Sequence, residues 1–372
     1  MRDATRILRS TLTPPEPGTA LHPGPVFAAP FHTPGDPANA AYSYARSHNP
    51  TWTHLEQAIG QMESGDGYRA RALVFASGMA AVTAVFGAVL RPGDVVLLQA
   101  GAYFAARVLL QQYFAGMGVV VRTPATLSAD PAQLAGVRLV WIETPSNPEL
   151  GVTDIAAVSR AAHAAGALVA VDNTTATPLA QRPLALGADF SVASDTKAMT
   201  GHSDILLGHV ATRDRELRQQ IDQWRTLTGG VLGPMEAWLA LRSMATLPLR
   251  LERSCANAQR IAEFLAAHPR VERTLYPGLP NHPGHAIARA QMRYYGPVVS
   301  FVLPSQEAAE RMLQASRLIT QATSFGGITT TAERRARWGG DAVAPGFVRL
   351  SAGCEDIEDL LEDLAQALDA IA

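Results

Sequence analysis

The sequence predicts an α/β protein: a large domain built on a mainly parallel sheet, followed by a smaller C-terminal α+β domain. Three observations carry that expectation. Short apolar runs alternate with Ala- and Leu-bearing helical segments across residues 73–227, the pattern of strand–helix–strand units that cover both faces of a parallel sheet. Two of those runs end in polar turns that carry a charge, Asp172 and Lys197. Beyond a long helical stretch near 235–268 the chain changes character, with a few separated apolar runs and a closing amphipathic helix. The organisation expected is an extended N-terminal arm over 1–50, a large domain over 51–235 and a smaller domain over 236–372.

Composition limits the function classes. A chain of 372 residues, 47% of them apolar, is long enough for two domains with their own cores. The formal net charge of −2 is spread over interspersed acids and bases, which gives no electrostatic case for nucleic acid or an anionic membrane. No apolar run is long enough for a membrane span, and Met1 to Arg6 is not followed by an apolar segment. Cys255 and Cys354 form no metal or redox spacing, so the protein is read as cytoplasmic. His282 and His285 lie in a Pro/Gly loop without a third ligand nearby, and no metal is expected.

Residues 10–50 are rich in Pro and Gly, which forbids continuous helix or central strand. Tyr44 and Arg46 lie near the tip of this arm, where they fit either a partner subunit's site or an ordinary surface loop. A helix is expected over Trp52 to Gln61. Strands follow at Leu73–Phe75, Asp94–Leu98, Val119–Arg122, Leu139–Ile142, Leu168–Val171 and Phe190–Ala193, with helices at 78–90, 105–115 and 155–165 between them. Gly201 to Val210 reads as one more strand, Arg213 to Leu227 as a polar helix, and Met235 to His268 as one long helical stretch. The small domain is expected to contain strands at Val298–Leu303 and Phe347–Ser351 and helices at 305–315 and 355–371.

Ligands of open parallel sheets gather at the strands' carboxyl ends. A lone lysine there is an ordinary solvated charge, but Lys197 is matched by Asp172 at a second strand end. Pyridoxal phosphate requires that pair, because an amine holds its aldehyde while an acid keeps the pyridine nitrogen protonated and the ring an electron sink. The turn Ser77-Gly78-Met79 opens a helix, where free N–H groups of Gly78 and Met79 stabilise a phosphate, and the hydroxyls of Ser194 and Thr196 could complete the cup. Tyr103 suits stacking on a planar ring, or packing at a sheet edge. Asn147 suits a substrate carboxylate, although turn formation explains it equally. Arg349 alone reads as a charge on a strand face.

Ordered along the chain, Tyr44-Ala45-Arg46 with Asn49-Pro50-Thr51, Ser77-Gly78-Met79-Ala80-Ala81, Glu143-Thr144-Pro145-Ser146-Asn147-Pro148, Val171-Asp172-Asn173-Thr174, Ser194-Asp195-Thr196-Lys197, Ser324-Phe325-Gly326-Gly327 and Arg349-Leu350-Ser351-Ala352-Gly353 form one pattern. In it the whole chain resembles the pyridoxal phosphate enzymes of cysteine and methionine metabolism, which include cystathionine γ-lyases, β-lyases and γ-synthases, methionine γ-lyases and homoserine sulfhydrylases. The resemblance implies a fold-type-I PLP-dependent transferase in which Lys197 carries the cofactor, Asp172 bonds its pyridine nitrogen and Tyr103 stacks on its ring and exchanges protons. It implies phosphate binding by Gly78, Met79, Ser194 and Thr196, with Tyr44 and Arg46 arriving from the neighbour in a homodimer, usually paired into a homotetramer. Arg349, Asn147 and Ser324 would hold the substrate's α-carboxylate, and His202 a structural place.

Three segments depart from the family pattern. Phe104-Ala105-Ala106 follows Tyr103 in place of the frequent Gly-Gly-Thr, and Ala105 stands where methionine γ-lyases resemble one another in having a cysteine. Thr323 stands where many γ-lyases carry a glutamate. Thr329 to Arg335 replaces the usual Thr-His-Ala, which leaves recognition of a distal amino group open, whereas Trp338-Gly339-Gly340-Asp341 resembles bacterial cystathionine γ-lyases. The expected activity is γ-elimination of L-cystathionine to cysteine, 2-oxobutanoate and ammonia. A γ-replacement on an acylated homoserine is the alternative, with methionine γ-lyase and cystathionine β-lyase below it.

Overall fold

A computed structural model describes residues 1–65 and 67–371. Seven strands form the large sheet: β1 (Arg71–Phe75), β2 (Val95–Leu98), β3 (Val120–Arg122), β4 (Leu139–Glu143), β5 (Leu168–Asp172), β6 (Phe190–Ala193) and β7 (Gly208–Thr212), in the order β1-β7-β6-β5-β4-β2-β3. From β3 through β6 every pairing is parallel, while β7 runs antiparallel to both its neighbours. Strand alternation divides the side chains between two layers. Leu139 and Trp141 of β4 pack beneath the helix Gly78–Val89, whereas Val140 and Ile142 pack beneath Ile155–Ala164.

The small domain carries β8 (Arg273–Leu275), β9 (Val298–Val302), β10 (Thr320–Gln321), β11 (Thr331–Arg334) and β12 (Phe347–Ser351), in the order β10-β11-β12-β9-β8. Val299, Phe301, Val348 and Leu350 point toward the helices Leu247–Ala267, Gln306–Ala315 and Ile357–Asp369. The opposite face carries Glu333, Arg349 and Ser300, aligned across β11, β12 and β9. Ser300 Oγ donates to Pro148 O of the large domain at 2.7 Å. That polar face therefore looks back at the large sheet.

Several boundaries differ from the sequence expectation. The 201–207 segment is irregular and β7 starts at Gly208, because Gly201 and Ser203 adopt positive φ of 71° and 59° that a strand excludes. The helical stretch 235–268 is two helices, Pro234–Met244 and Leu247–Ala267, broken at Ala245-Thr246 with Pro248 in the first turn of the second. The helix expected at 105–115 is α-helical only over Phe104–Leu109 and continues as a π turn and a 3-10 turn to Met117. A helix, Asp3–Ser10, precedes the irregular arm; its Ile7 is buried and Asp3 accepts from Arg182 at 2.7 Å. Strands β8, β10 and β11 are too short and polar to stand out from sequence. No helix among the described residues is long and apolar enough to cross a membrane.

Candidate active site

A cleft of about 500 Å³ opens at the carboxyl ends of β4, β5 and β6, facing the polar side of the small sheet. Gly78, Met79, Tyr103, Asp172, Lys197 and Arg349 all line it, and so do Asn147, Ser194, Thr196 and Ser324. Ten residues singled out from sequence thus share one wall-to-wall space. Tyr44 and Arg46 do not join them within the chain: Arg46 donates to Thr226 O at 2.7 Å and lies over the exposed Tyr44 ring.

The strand register explains why Asp172 and Lys197 meet. Asp172 is the last residue of β5 and pairs with Glu143 on one side and Val192 on the other. Thr174 then links the two loops: its Oγ1 donates to Asp172 Oδ1 at 2.6 Å and accepts from Ser194 N at 2.8 Å. Beyond Lys197, Arg250 donates to Ala198 O and Met199 O at 2.9 and 3.0 Å. The lysine loop is gripped at both ends.

A buried charge chain also holds it from below. His209 Nδ1 lies 2.8 Å from Asp195 Oδ2 and its Nε2 lies 3.0 Å from Glu63 Oε1. Burial alone would lower the imidazole's pKa, but the two carboxylates reverse that and push it up to about 10. As an imidazolium, His209 donates from both nitrogens and fixes Asp195, two residues before Lys197.

Lys197 itself has a pKa below the ordinary lysine value. Burial is the main cause and Arg349 adds to it, against the opposing pull of Asp172. Both groups lie near the Phe325 ring, whose centroid is 5.6 Å from the Lys197 Nζ and 5.2 Å from the Arg349 guanidinium carbon. A larger share of neutral amine at physiological pH is what a proton-abstracting lysine requires.

The residues present fit pyridoxal phosphate. Burial raises the pKa of Asp172, whose Oδ1 is held by Thr174 while its Oδ2 takes no bond among the described residues. A cation placed at that free oxygen, such as a protonated pyridine, relieves the desolvation. Ser77 Oγ caps the helix by accepting from Ala80 N at 3.1 Å, and the Gly78 and Met79 N–H groups have no partner among the described residues. A Cβ at Gly78 would run into Ser194, with its Oγ 2.7 Å away, so glycine is what lets the Ser194 hydroxyl lie directly beside the helix N-terminus. Thr196 is less free than expected, since its hydroxyl both donates to Leu207 O and accepts from Leu207 N, at 3.2 and 3.0 Å. Tyr103, 43% exposed, stands at the start of the helix Phe104–Leu109 with its ring on the cleft.

Across the cleft Arg349 is buried and oriented by three acceptors. Its Nη1 donates to Asn147 Oδ1 at 2.7 Å, and its Nη2 donates to Ser324 O at 2.8 Å and to Glu333 Oε1 at 2.6 Å. Burial lowers its pKa to about 10, still far above neutrality, so it remains a cation. The Nε–H and one Nη1–H are left for a carboxylate. Ser324 supplies its carbonyl, from a backbone at φ +77°.

Two acids escaped the sequence reading. Glu143 accepts from the N–H groups of Tyr103 and Asn147, and burial followed by the nearby Asp172 raises its pKa well above the usual range. Its place in a Glu-Thr-Pro turn looked like turn chemistry alone. Glu333 is almost completely buried and accepts from Arg335, Arg337, Arg349, Trp338 and Thr323. Only the cluster of bases that follows it in sequence hinted at this.

The remaining candidates bond to backbone. His202 Nδ1 lies 2.6 Å from Thr200 O, His282 Nδ1 accepts from Gly284 N at 3.1 Å, and His285 Nδ1 lies 2.8 Å from Pro277 O. Cys255 is buried, with its thiol pushed up to about 12, and Cys354 is half-buried; both are free.

A strand-end lysine and acid beneath a helix N-terminus, on this fold, define a PLP-dependent enzyme. The chain belongs to the Cys/Met metabolism PLP-dependent enzyme family, whose pattern it matches over residues 27–369. It is 54% identical over 368 residues to a putative cystathionine γ-lyase of Streptomyces coelicolor, covering 99% of this chain and 93% of the relative. A cystathionine γ-synthase of Mycobacterium tuberculosis is 40% identical, over 98% of this chain and 96% of its own. Among solved structures, cystathionine γ-synthase from Xanthomonas oryzae pv. oryzae in complex with cystathionine superposes with a TM-score of 0.92 at 35% identity, covering 99% of this chain and 98% of that one. Relatives this similar carry both lyase and synthase names.

Proposed function

We propose that the protein cleaves L-cystathionine by γ-elimination, giving cysteine, 2-oxobutanoate and ammonia with consumption of one water. The observation that carries this reading is one cleft holding a lysine of lowered pKa opposite a buried arginine with two uncommitted N–H groups. An α-amino acid bound by its carboxylate to Arg349 presents its α-carbon toward Lys197. Bound pyridoxal phosphate supplies the electron sink for the carbanion formed there.

The protein's own residues then perform the proton work. The neutral Lys197 Nζ accepts the α-proton, passes it on to the bound molecule and, neutral again, accepts the proton that leaves the β-carbon. The Tyr103 hydroxyl is assigned to protonate the departing cysteine sulfur. Asn147 and Glu333 keep the Arg349 guanidinium in register, and Asp172, Gly78, Met79, Ser194 and Thr196 hold the cofactor. Tyr44 and Arg46 are assigned to the phosphate site of a second copy of this chain, in a homodimer paired into a tetramer.

The greater similarity to the Streptomyces relative than to the mycobacterial γ-synthase favours elimination over replacement, and Ala105 gives no thiol for a methionine-directed site. Incubation of the holoenzyme with L-cystathionine should release cysteine and 2-oxobutanoate in equal amounts. Net synthesis of cystathionine from an acylated homoserine and cysteine, without release of 2-oxobutanoate from cystathionine, would replace this reading with γ-replacement.

A further inference from the structure

The three segments that depart from the family pattern, distant in sequence, form one wall of the cleft. Phe104 packs on the turn at Gly340, where an added Cβ would lie 3.1 Å from its ring. Arg107, one turn along the same helix, donates to Gly340 O at 2.8 Å and lies over the Phe104 ring. Thr323 donates to Glu333 at 3.3 Å. Glu333 in turn holds Arg335, whose Nε and Nη2 both donate to Asp341 Oδ2.

That last pair is placed as a receptor. Arg335 and Asp341 line the same cleft as Lys197 and Arg349, with side chains only 11% and 8% exposed. Arg335 uses three of its five N–H groups, leaving two, and Asp341 Oδ1 takes no bond among the described residues. Asp341 also acts on the site electrostatically, adding to the upward shift at Glu143. A nearly buried ion pair with an unused donor edge and an unused acceptor oxygen is costly against an apolar wall, but it matches a ligand that brings both a carboxylate and an ammonium. A thioether ending in a methyl group leaves both unmatched.

We propose that Arg335 and Asp341 bind the distal α-amino-acid group of the substrate, Arg335 through its carboxylate and Asp341 through its ammonium. This rests on the γ-elimination reading and specifies its substrate class: thioethers with an amino acid at both ends, in preference to those ending in an alkyl group or a free thiol. The departures from the family pattern, together with the turn Trp338-Gly339-Gly340-Asp341, are then the specificity wall, with Phe104 and Glu333 as positioning residues that carry the Asp341 turn and Arg335.

Rapid mixing tests this ahead of turnover, by following the cofactor absorbance of the holoenzyme in its first binding phase with L-cystathionine or L-homocysteine and taking the dissociation constant from the concentration dependence of that phase. Wild type should bind cystathionine about tenfold more tightly, a difference of about 1.4 kcal/mol. Asp341→Asn, which keeps the shape and an oxygen acceptor for Arg335, and Arg335→Gln should each remove most of that preference, weakening cystathionine at least about fivefold more than homocysteine. Parallel weakening of both ligands would overturn the proposal in favour of a brace for Glu333 and Arg349. No preference in wild type would overturn it even where a variant fails to fold. If wild type binds cystathionine selectively yet releases no cysteine, the elimination reading fails while the receptor stands.

Discussion

The two walls of the cleft are built by different means. On the lysine wall, Asp172 and Lys197 sit at or just beyond the ends of adjacent parallel strands, and Thr174, Arg250 and the buried His209 tie their loops together within a few residues. The distal wall rests on a short edge of the small sheet, a 3-10 turn at Arg335–Trp338 and a turn through Gly339 at φ +67°, held mainly by the ion pairs of Glu333 and Asp341. Rigid strand ends suit chemistry common to a family, and loops carried on them suit discrimination. Substitutions on the lysine wall should therefore affect every substrate alike, and only distal ones should change preference.

Lys197→Ala gives the sharpest break. Loss of the amine proposed to accept the proton should lower kcat by about 10²–10⁴-fold or more, equally for cystathionine and homocysteine. Single-turnover measurements check this, and an unequal loss between the two substrates would mean that the lysine wall also discriminates.

Next in size is His209→Ala. It leaves Asp195 and Glu63 facing each other, buried, without their shared cation, at a cost of about 3–5 kcal/mol. The sign of the pH dependence follows from the raised pKa. The histidine's contribution is complete below its ordinary value near 6.5 and is lost as pH rises through about 10. Denaturant midpoints between pH 7 and 10.5 should fall for wild type, and the variant should lack this histidine-linked fall. A variant as stable as wild type at pH 7 would show that the loop does not depend on the charge chain.

The same contrast explains what was legible in the sequence. Strand–helix alternation and strand-end polar residues follow from local patterns, so the parallel sheet, Asp172, Lys197 and the Ser77-Gly78 turn could be read directly, and the motif order supplied Arg349. Glu333 could not be read, because its partners Arg349, Trp338 and Thr323 come together only through strand pairing and loop closure in the small sheet. His209 reads as one residue of a buried apolar strand until Glu63, 146 positions earlier, is brought to its other nitrogen. The contact of Phe104 with the Gly340 turn likewise spans more than 230 residues. Periodicity reports which face a side chain takes, and carries no information on which distant charge will meet it.

The smallest expected effect tests how tightly the lysine wall is closed. In Gly78→Ala the methyl would push directly against the Ser194 side chain, whose Oγ would lie 2.7 Å away. Overpacking of this kind costs about 1–3 kcal/mol. Because the displaced Ser194 and the Gly78 N–H are assigned to the phosphate, the loss should be larger in the holoenzyme than in the apoprotein. Comparing the Tm of both forms separates the two contributions: an equal drop would reflect packing alone and remove the cradle from the phosphate site. A larger drop in the holoenzyme, with the ratio of cystathionine to homocysteine binding preserved, would place Gly78 on the wall that holds the cofactor and outside the wall that chooses the substrate.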